Sequence, residues 1–261
     1  MKVKVDTKKV VNELKQNGYC IVKNLLSKKE IDEIKKSLLN TLQYIKPDKQ
    51  KNLVKKYYQI KKFNPILKGN WFDIISLDIK VLQFLYSERI TKGVKKYFNT
   101  KVLFSGRRHL NIFDDANDKL LNPHQETHQI ARDTIVLWAP LYDTGKNKGG
   151  IAVYKDSHKN GYFKHEREKI KTSDKRWTKT YNHVPKSISS KFEKLELEIK
   201  AGSVLLFNSK ILHCSYPTKK QNLRIVLTER YNPLQKIPFL RNPKATMNIP
   251  VLGVDYNKIK D

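Results

Sequence analysis

The residues best suited to chemistry crowd into one short stretch, Asn122-Pro123-His124-Gln125-Glu126-Thr127-His128. Pro123 favours an extended backbone just before His124. In an extended segment side chains alternate, so His124 and Glu126 fall on one face. An imidazole and a carboxylate two positions apart can grip one metal ion, and a third ligand is then needed. The best placed is His213, in Ile211-Leu212-His213-Cys214-Ser215, at the end of an apolar run. Two histidines and one carboxylate with the other positions open suit non-haem Fe(II). Zn(II) with water as fourth ligand is the alternative, although the chain has no His-Glu-x-x-His and no evident general base for a zinc hydrolase. The plainer reading of a lone His-x-Glu is a surface or hydrogen-bonding pair.

Arg224 adds weight to the site. It lies inside an apolar stretch, Leu223-Arg224-Ile225-Val226-Leu227, which has no acidic residue until Glu229. A buried guanidinium needs an anionic partner, and a carboxylate matches its planar fork. A bound dicarboxylate would supply that charge, with Ser215, two residues past His213, giving it a hydroxyl. The competing reading is a salt bridge from Arg224 to an acid elsewhere in the fold.

These groups must be held by the elements around them. Residues 7–17 read as a short helix capped by Thr7 and ended by Gly18, and Tyr19-Cys20-Ile21-Val22 reads as a strand. Ser27 with Glu30 makes a capping-box pattern, and Ile31, Ile34, Leu38 and Leu39 form one apolar face of the helix that follows. The spacing of Ile79, Leu82, Leu85, Tyr86, Ile90 and Val94 predicts one helix over 79–98. Beyond about residue 100 short apolar runs alternate with Gly, Asn, Asp and Pro, at 101–104, 109–113, 134–142, 150–154, 195–199, 203–207, 210–214 and 223–231. That pattern suggests a β-sandwich or barrel. Residues 159–194 read as an excursion from the sheet, placed to act as a lid.

Composition bounds the rest. The 261 residues fit one domain with elaborations, and 39% hydrophobic residues with 13 Tyr, 10 Phe and 3 Trp support a packed core. The formal net charge of +28 invites a nucleic-acid or polyanion partner. Against it, the basic residues are mostly Lys, only nine being Arg, and they are spread along the chain. Two cysteines do not make a disulfide scaffold. With no apolar run at the N-terminus and none of membrane-spanning length, a cytoplasmic protein without a signal peptide is expected.

Taken together, His124-Gln125-Glu126, the segment Gly149-Gly150-Ile151-Ala152-Val153-Tyr154-Lys155-Asp156-Ser157-His158-Lys159, His213-Cys214-Ser215 and Arg224 resemble the phytanoyl-CoA dioxygenase family. The opening run from Asn17-Gly18-Tyr19 to Glu30 resembles that family's usual start. The resemblance implies a mainly β fold, a double-stranded β-helix (jelly-roll) core at about 101–232. Helices would precede it over about 1–100 and a tail would follow at 233–261, all in a single domain. It implies an oxygenase using Fe(II), 2-oxoglutarate and O2 to hydroxylate a C–H bond of a small, possibly anionic metabolite, with release of succinate and CO2.

Carried onto this chain, the ligands are His124, Glu126 and His213, and the 2-oxoglutarate anchor is Arg224 with Ser215. Trp138 matches a tryptophan beside the co-substrate, or is simply core. His128 faces substrate, or is a hydrogen-bonded loop residue. Most relatives have Asp at the position of Glu126, and halogenating relatives lack the carboxylate, so its presence favours hydroxylation. His158 falls in the family's Gly-Ser-His turn, with Asp156 in place of Gly, and is structural. Cys214 alternates away from His213 and packs in the core. His109, His165 and His183 have no evident partner in the sequence. The rival readings are a polyanion-binding protein and a jelly-roll binding protein without catalysis.

Overall fold

The computed structural model describes residues 5–62, 64, 71, 74–75, 78–105, 110–114, 122–126, 133–145, 148–169, 180–218 and 223–233. Helix α1 (Thr7–Gln16) is capped by Asp6, whose carboxylate accepts from the N–H groups of Lys8 and Lys9. Asp6 rather than Thr7 is therefore the cap, its charge also meeting the positive end of the helix. Gly18, at φ +77°, turns the chain into β1 (Tyr19–Val22). In α2 (Lys28–Ile45) the capping box forms as expected, and Ile31, Ile34, Leu38 and Leu42 are buried, with Leu39 half-buried beside them. Helix α3 (Leu53–Lys61) packs against α2.

The single helix expected over 79–98 is two, α4 (Ile79–Leu85) and α5 (Glu88–Phe98). Ser87 takes the extended conformation of an N-cap (φ −61°, ψ 144°) between them. The break re-aims the chain. Val81, Phe84 and Leu85 go into the core, while Ile79 and Tyr86 are left exposed. The expected face holds in α5, where Ile90 and Val94 are buried, but in α4 the buried face is Val81, Phe84 and Leu85 rather than Ile79, Leu82 and Tyr86.

The β region forms two facing antiparallel sheets. The larger runs β1-β9-β4-β11-β2, with β3 also on β11. Its strands are β2 (Leu103–Ser105), β3 (Leu110–Phe113), β4 (Ile135–Pro140), β9 (Val204–Asn208) and β11 (Arg224–Pro233), with β1 from the helical part pairing β9. The smaller runs β10-β5-β8, from β5 (Lys148–Tyr154), β8 (Lys194–Glu196) and β10 (His213–Thr218). Strand β8 is shorter than the alternating run 195–199, and β10 starts at His213, because residues 209–212 form the turn out of β9.

Alternation sorts the side chains into layers. Ile135, Leu137 and Ala139 of β4, with Ile225, Leu227 and Tyr231 of β11, meet the helices in one core. Val136, Trp138, Leu205, Phe207 and Val226 face Ile151, Val153, Leu197 and Ile199 between the sheets. This is the jelly-roll arrangement. The stretch 159–194 holds a 3-10 turn (Ser157–Asn160) at its start, a hairpin of β6 (Glu166–Lys169) and β7 (Thr180–His183), and α6 (Lys186–Ser189). Among the described residues no helix is long and apolar enough to cross a membrane.

One stability consequence arises from α2. Partial burial would raise the Glu30 carboxyl, but hydrogen bonds from Arg89 and from the Ser27 N–H and O–H outweigh it and hold Glu30 at about 2, against 4.5 ordinarily. A carboxyl depressed in the folded state stabilises above its ordinary value, and that stabilisation is lost as pH falls towards 2. The melting temperature of Glu30→Gln will therefore lie below the parent at neutral pH, and the gap will close on acidification from about pH 5 towards pH 2. A gap independent of pH would show that the ionised carboxylate is not what ties α2 to α5.

Candidate active site

His124 and His213 reach the site through one backbone feature. Their main chains pair as an isolated antiparallel bridge, N–H to C=O at 3.0 Å in both directions. The 122–126 segment is thereby added to the outer edge of β10. The bridge brings the imidazoles together, ring centroids 4.2 Å apart and planes tilted by 52°, with Phe207 packed 4.7 Å from His213. Glu126 is anchored separately, its N–H on the Ser209 carbonyl at 3.1 Å.

Ligand atoms of His124, Glu126 and His213 all lie within 4.8 Å of one another. Adjacent donors each ~2.1 Å from one ion stand about 3.0–3.4 Å apart, so the widest pair must close by roughly 1.5 Å, within reach of side-chain rotation. The tautomers suit it. Each Nδ1–H donates to the carbonyl two residues back, His124 to Asn122 at 2.8 Å and His213 to Ile211 at 3.1 Å. Both Nε2 lone pairs are left for a metal, and the rings are held in orientation. Burial, then the neighbouring His213, pulls His124 down to about 3, so it is neutral and able to ligate at pH 7. Burial would raise Glu126, but Arg230, His213 and His124 together hold it well below the ordinary carboxylate range. The chemistry and spacing of this donor set therefore fit Fe(II).

Arg224 and Ser215 also come together. Arg224 is buried between the sheets, its guanidinium 3.8 Å above the Phe113 ring. Its Nη1 donates to the Gly150 carbonyl at 2.8 Å and its Nη2 to Ser215 Oγ at 3.4 Å. Ser215 is two residues along β10 from His213 and on the same face, about 6–7 Å further at strand rise, a span that a five-carbon diacid bridges. Gly150 must be glycine for a packing reason. A Cβ there would stand 2.3 Å from Tyr216 Oη, because the Tyr216 side chain crosses it. Trp138 lies on the inward face of β4, opposite Thr228 and Leu205, within the core between the sheets.

Other histidines find their places. His158 packs its ring against Gly18, where a Cβ would be 2.6 Å from it, and Asp156 adopts the left-handed conformation (φ +61°) of the preceding turn. His183 faces Glu166 across the hairpin at 3.7 Å, and His165 Nε2 accepts the Gln125 N–H at 3.3 Å. Cys214 packs on the outer face of the small sheet with Ala152, Tyr154 and Leu212. His109, His128 and most of the tail at 233–261 lie outside the described residues.

Sequence reasoning missed two residues. Arg230, on the inward face of β11, holds Glu126 Oε1 at 2.9 Å. Alternation from Arg224 gives its face but not its partner. Gln125, 3% exposed, is a latch. Its Nε2 donates to the Gly161 and Lys210 carbonyls at 2.8 and 2.5 Å, and its Oε1 accepts the Phe163 N–H at 2.8 Å. The Val184 N–H on the Pro123 carbonyl, at 2.7 Å, ties the far end of the hairpin to the same segment. The excursion is thus bonded directly to the strand that carries His124 and Glu126. Gln125→Leu removes the partners of three partly buried backbone groups and will cost about 2 kcal/mol, seen as a fall of roughly 4–8 °C in melting temperature. A variant within 2 °C of the parent would show that the latch is solvated rather than buried.

A jelly roll that gathers two imidazoles and a carboxylate around one point, with a guanidinium buried nearby, is built as the 2-oxoglutarate-dependent, non-haem iron oxygenases are, and this protein is an enzyme of that class. The model of the phytanoyl-CoA dioxygenase (PhyH) family matches residues 14–226, and the chain belongs to that family. Its cofactors are Fe(II) and 2-oxoglutarate. Among solved structures it is similar to EctD from S. alaskensis with 2-oxoglutarate and 5-hydroxyectoine (TM-score 0.59, 14% identity, 90% of this chain and 78% of that one). It is also similar to the epimerase SnoN in complex with Fe3+, alpha ketoglutarate and nogalamycin RO (TM-score 0.57, 12% identity, 94% and 92%). A third is the non-heme monooxygenase ThoJ as its Ni complex (TM-score 0.55, 13% identity, 86% and 77%). At these identities the likeness is one of fold. No curated protein matches the chain in sequence.

Proposed function

We propose that this oxygenase hydroxylates a C–H bond of a small molecule, with His124, Glu126 and His213 as the iron ligands and Arg224 with Ser215 as the anchor of 2-oxoglutarate. The observation that carries the reading is the convergence of the three donor groups from two segments far apart in the chain. Fe(II) with 2-oxoglutarate and O2 supplies the oxidising power to break the C–H bond, leaving hydroxylated product, succinate and CO2. The chain's own residues orient and exclude. The Nδ1–H bonds keep both imidazoles aimed at one point. Ser215 and Arg224 offer a cationic, hydrogen-bonding pocket to the far carboxylate, with Phe113 beneath the guanidinium keeping water from it. Trp138, in the core between the sheets and opposite Thr228, is the candidate to bound the co-substrate on the β4 side. The Gln125 latch holds the 159–165 segment against the ligand strand, where it shields the reaction from solvent.

We propose further that the helical part and the jelly roll are one unit, since β1 belongs to the large sheet. The substrate is a small molecule whose identity rests on the pocket walls. The test is turnover of 2-oxoglutarate to succinate by protein loaded with Fe(II), screened against pools of small metabolites and read by mass spectrometry. Gain of one oxygen in a pool component is the expected result. Succinate formation accompanied by an isomer of unchanged mass would replace hydroxylation with epimerisation, and absence of succinate in every pool would remove the oxygenase reading of the site.

A further inference from the structure

We infer that Arg230 is a positioning residue that clamps Glu126 as a one-oxygen ligand and makes the longer carboxylate necessary in this chain. The inference rests on the ligand assignment above and goes beyond it. Arg230 stands six residues beyond Arg224 on β11, so it points to the same interior face. Its Nη2 donates to Glu126 Oε1 at 2.9 Å and its Nη1 to Thr228 Oγ1 at 3.1 Å, with the side chain 13% exposed. Thr228, on the same strand and the same face, thus fixes one arm of the fork while the other grips the carboxylate.

The oxygen it grips is the one that faces the histidines, because Oε1 is also the atom 3.7 Å from His213 Nε2. That gap is too long for a hydrogen bond and roughly half an ångström wider than adjacent ligands of one ion. Glu126 has one more rotatable bond than an aspartate, and a free glutamate would turn either or both oxygens to a metal. With the guanidinium fixed by Thr228, the carboxylate has one orientation and meets a metal through one oxygen. The methylene that separates Glu from Asp is then the length needed to reach both Arg230 and the point where the imidazoles converge. The Glu126 backbone is itself pinned to Ser209, so it does not slide to make up a shorter side chain.

This arrangement predicts coupling between the length of residue 126 and the presence of Arg230, and that coupling can be measured on metal binding alone. Co(II) is titrated into the metal-free full-length protein and followed by its visible absorption, whose intensity and position report the ligand number. In the parent, Glu126→Asp will weaken Co(II) binding by about 10- to 100-fold, the range usual when a hydrogen-bonded support of a metal ligand is lost. In an Arg230→Met background the same Glu-to-Asp exchange will change affinity by less than about threefold, because no clamp is left to satisfy, and the Co(II) spectrum will shift as the carboxylate turns to offer both oxygens.

Equal effects of Glu126→Asp in the two backgrounds overturn the clamp. If Arg230→Met does not fold, Arg230→Lys, which keeps the charge but not the fork, serves as the second background under the same criterion. A parent protein that takes up no Co(II) would instead overturn the ligand set itself, so failure of the clamp and failure of the site remain distinct.

Discussion

An alanine at position 213 will leave the protein unable to bind one equivalent of Fe(II) or Co(II) under anaerobic titration, and turnover of 2-oxoglutarate will vanish with it. The loss exceeds the ~10–100-fold that follows from disturbing a support of a ligand, because one of three donors is gone and the remaining pair, His124 and Glu126, cannot enclose an ion by themselves. The backbone bridge between residues 124 and 213 uses main-chain atoms only, so it survives the substitution and the 122–126 segment stays in place. What the fold loses is the packing of the imidazole against Phe207 and His124 and its hydrogen bond to the Ile211 carbonyl, together about 2–3 kcal/mol. Circular dichroism will therefore report a folded protein without metal. Metal uptake equal to the parent would show that the ion, if bound, sits elsewhere.

Arg224→Ala will separate the co-substrate from the metal. Truncating one side of a buried charge pair costs about 3–4 kcal/mol, so 2-oxoglutarate affinity should fall by about 100- to 1,000-fold while Co(II) affinity stays within a factor of two or so of the parent. The structural basis is the distance along β10. Ser215 and the guanidinium it bonds are displaced from His213 by two residues, and the Arg224 hydrogen bonds go to Gly150 and Ser215 rather than to any of the three ligands. Isothermal titration of 2-oxoglutarate into Co(II)-loaded protein reads the effect. An unchanged affinity would mean that another group takes the far carboxylate. The two experiments thus interrogate different ends of one pocket.

The chemistry of this protein was largely legible before its shape. Side-chain direction along a strand has a period of two, so residue type and parity put His124 and Glu126 on one face, while the wider set with His213, Arg224 and Ser215 came from the resemblance to the family's motifs. The capping box at Ser27 and Glu30 and the buried face of α2 are likewise local, written in spacing over a few residues. The break at Ser87 was not legible, because two short helices with similar periodicity read as one until the core decides which face each must bury.

What only the tertiary structure decided is which faces meet. Parity points Arg230 inward but cannot say that Glu126 lies opposite it at 2.9 Å, nor that Gln125, a polar residue between His124 and Glu126, has its hydrogen bonds waiting in a loop far along the chain. The sequence determined the donors and the faces they occupy, since those follow from covalent geometry and local propensity. The meeting of His124 and His213 follows from strand pairing across the chain, and that register is chosen by the burial of whole sheet faces rather than by any local pattern.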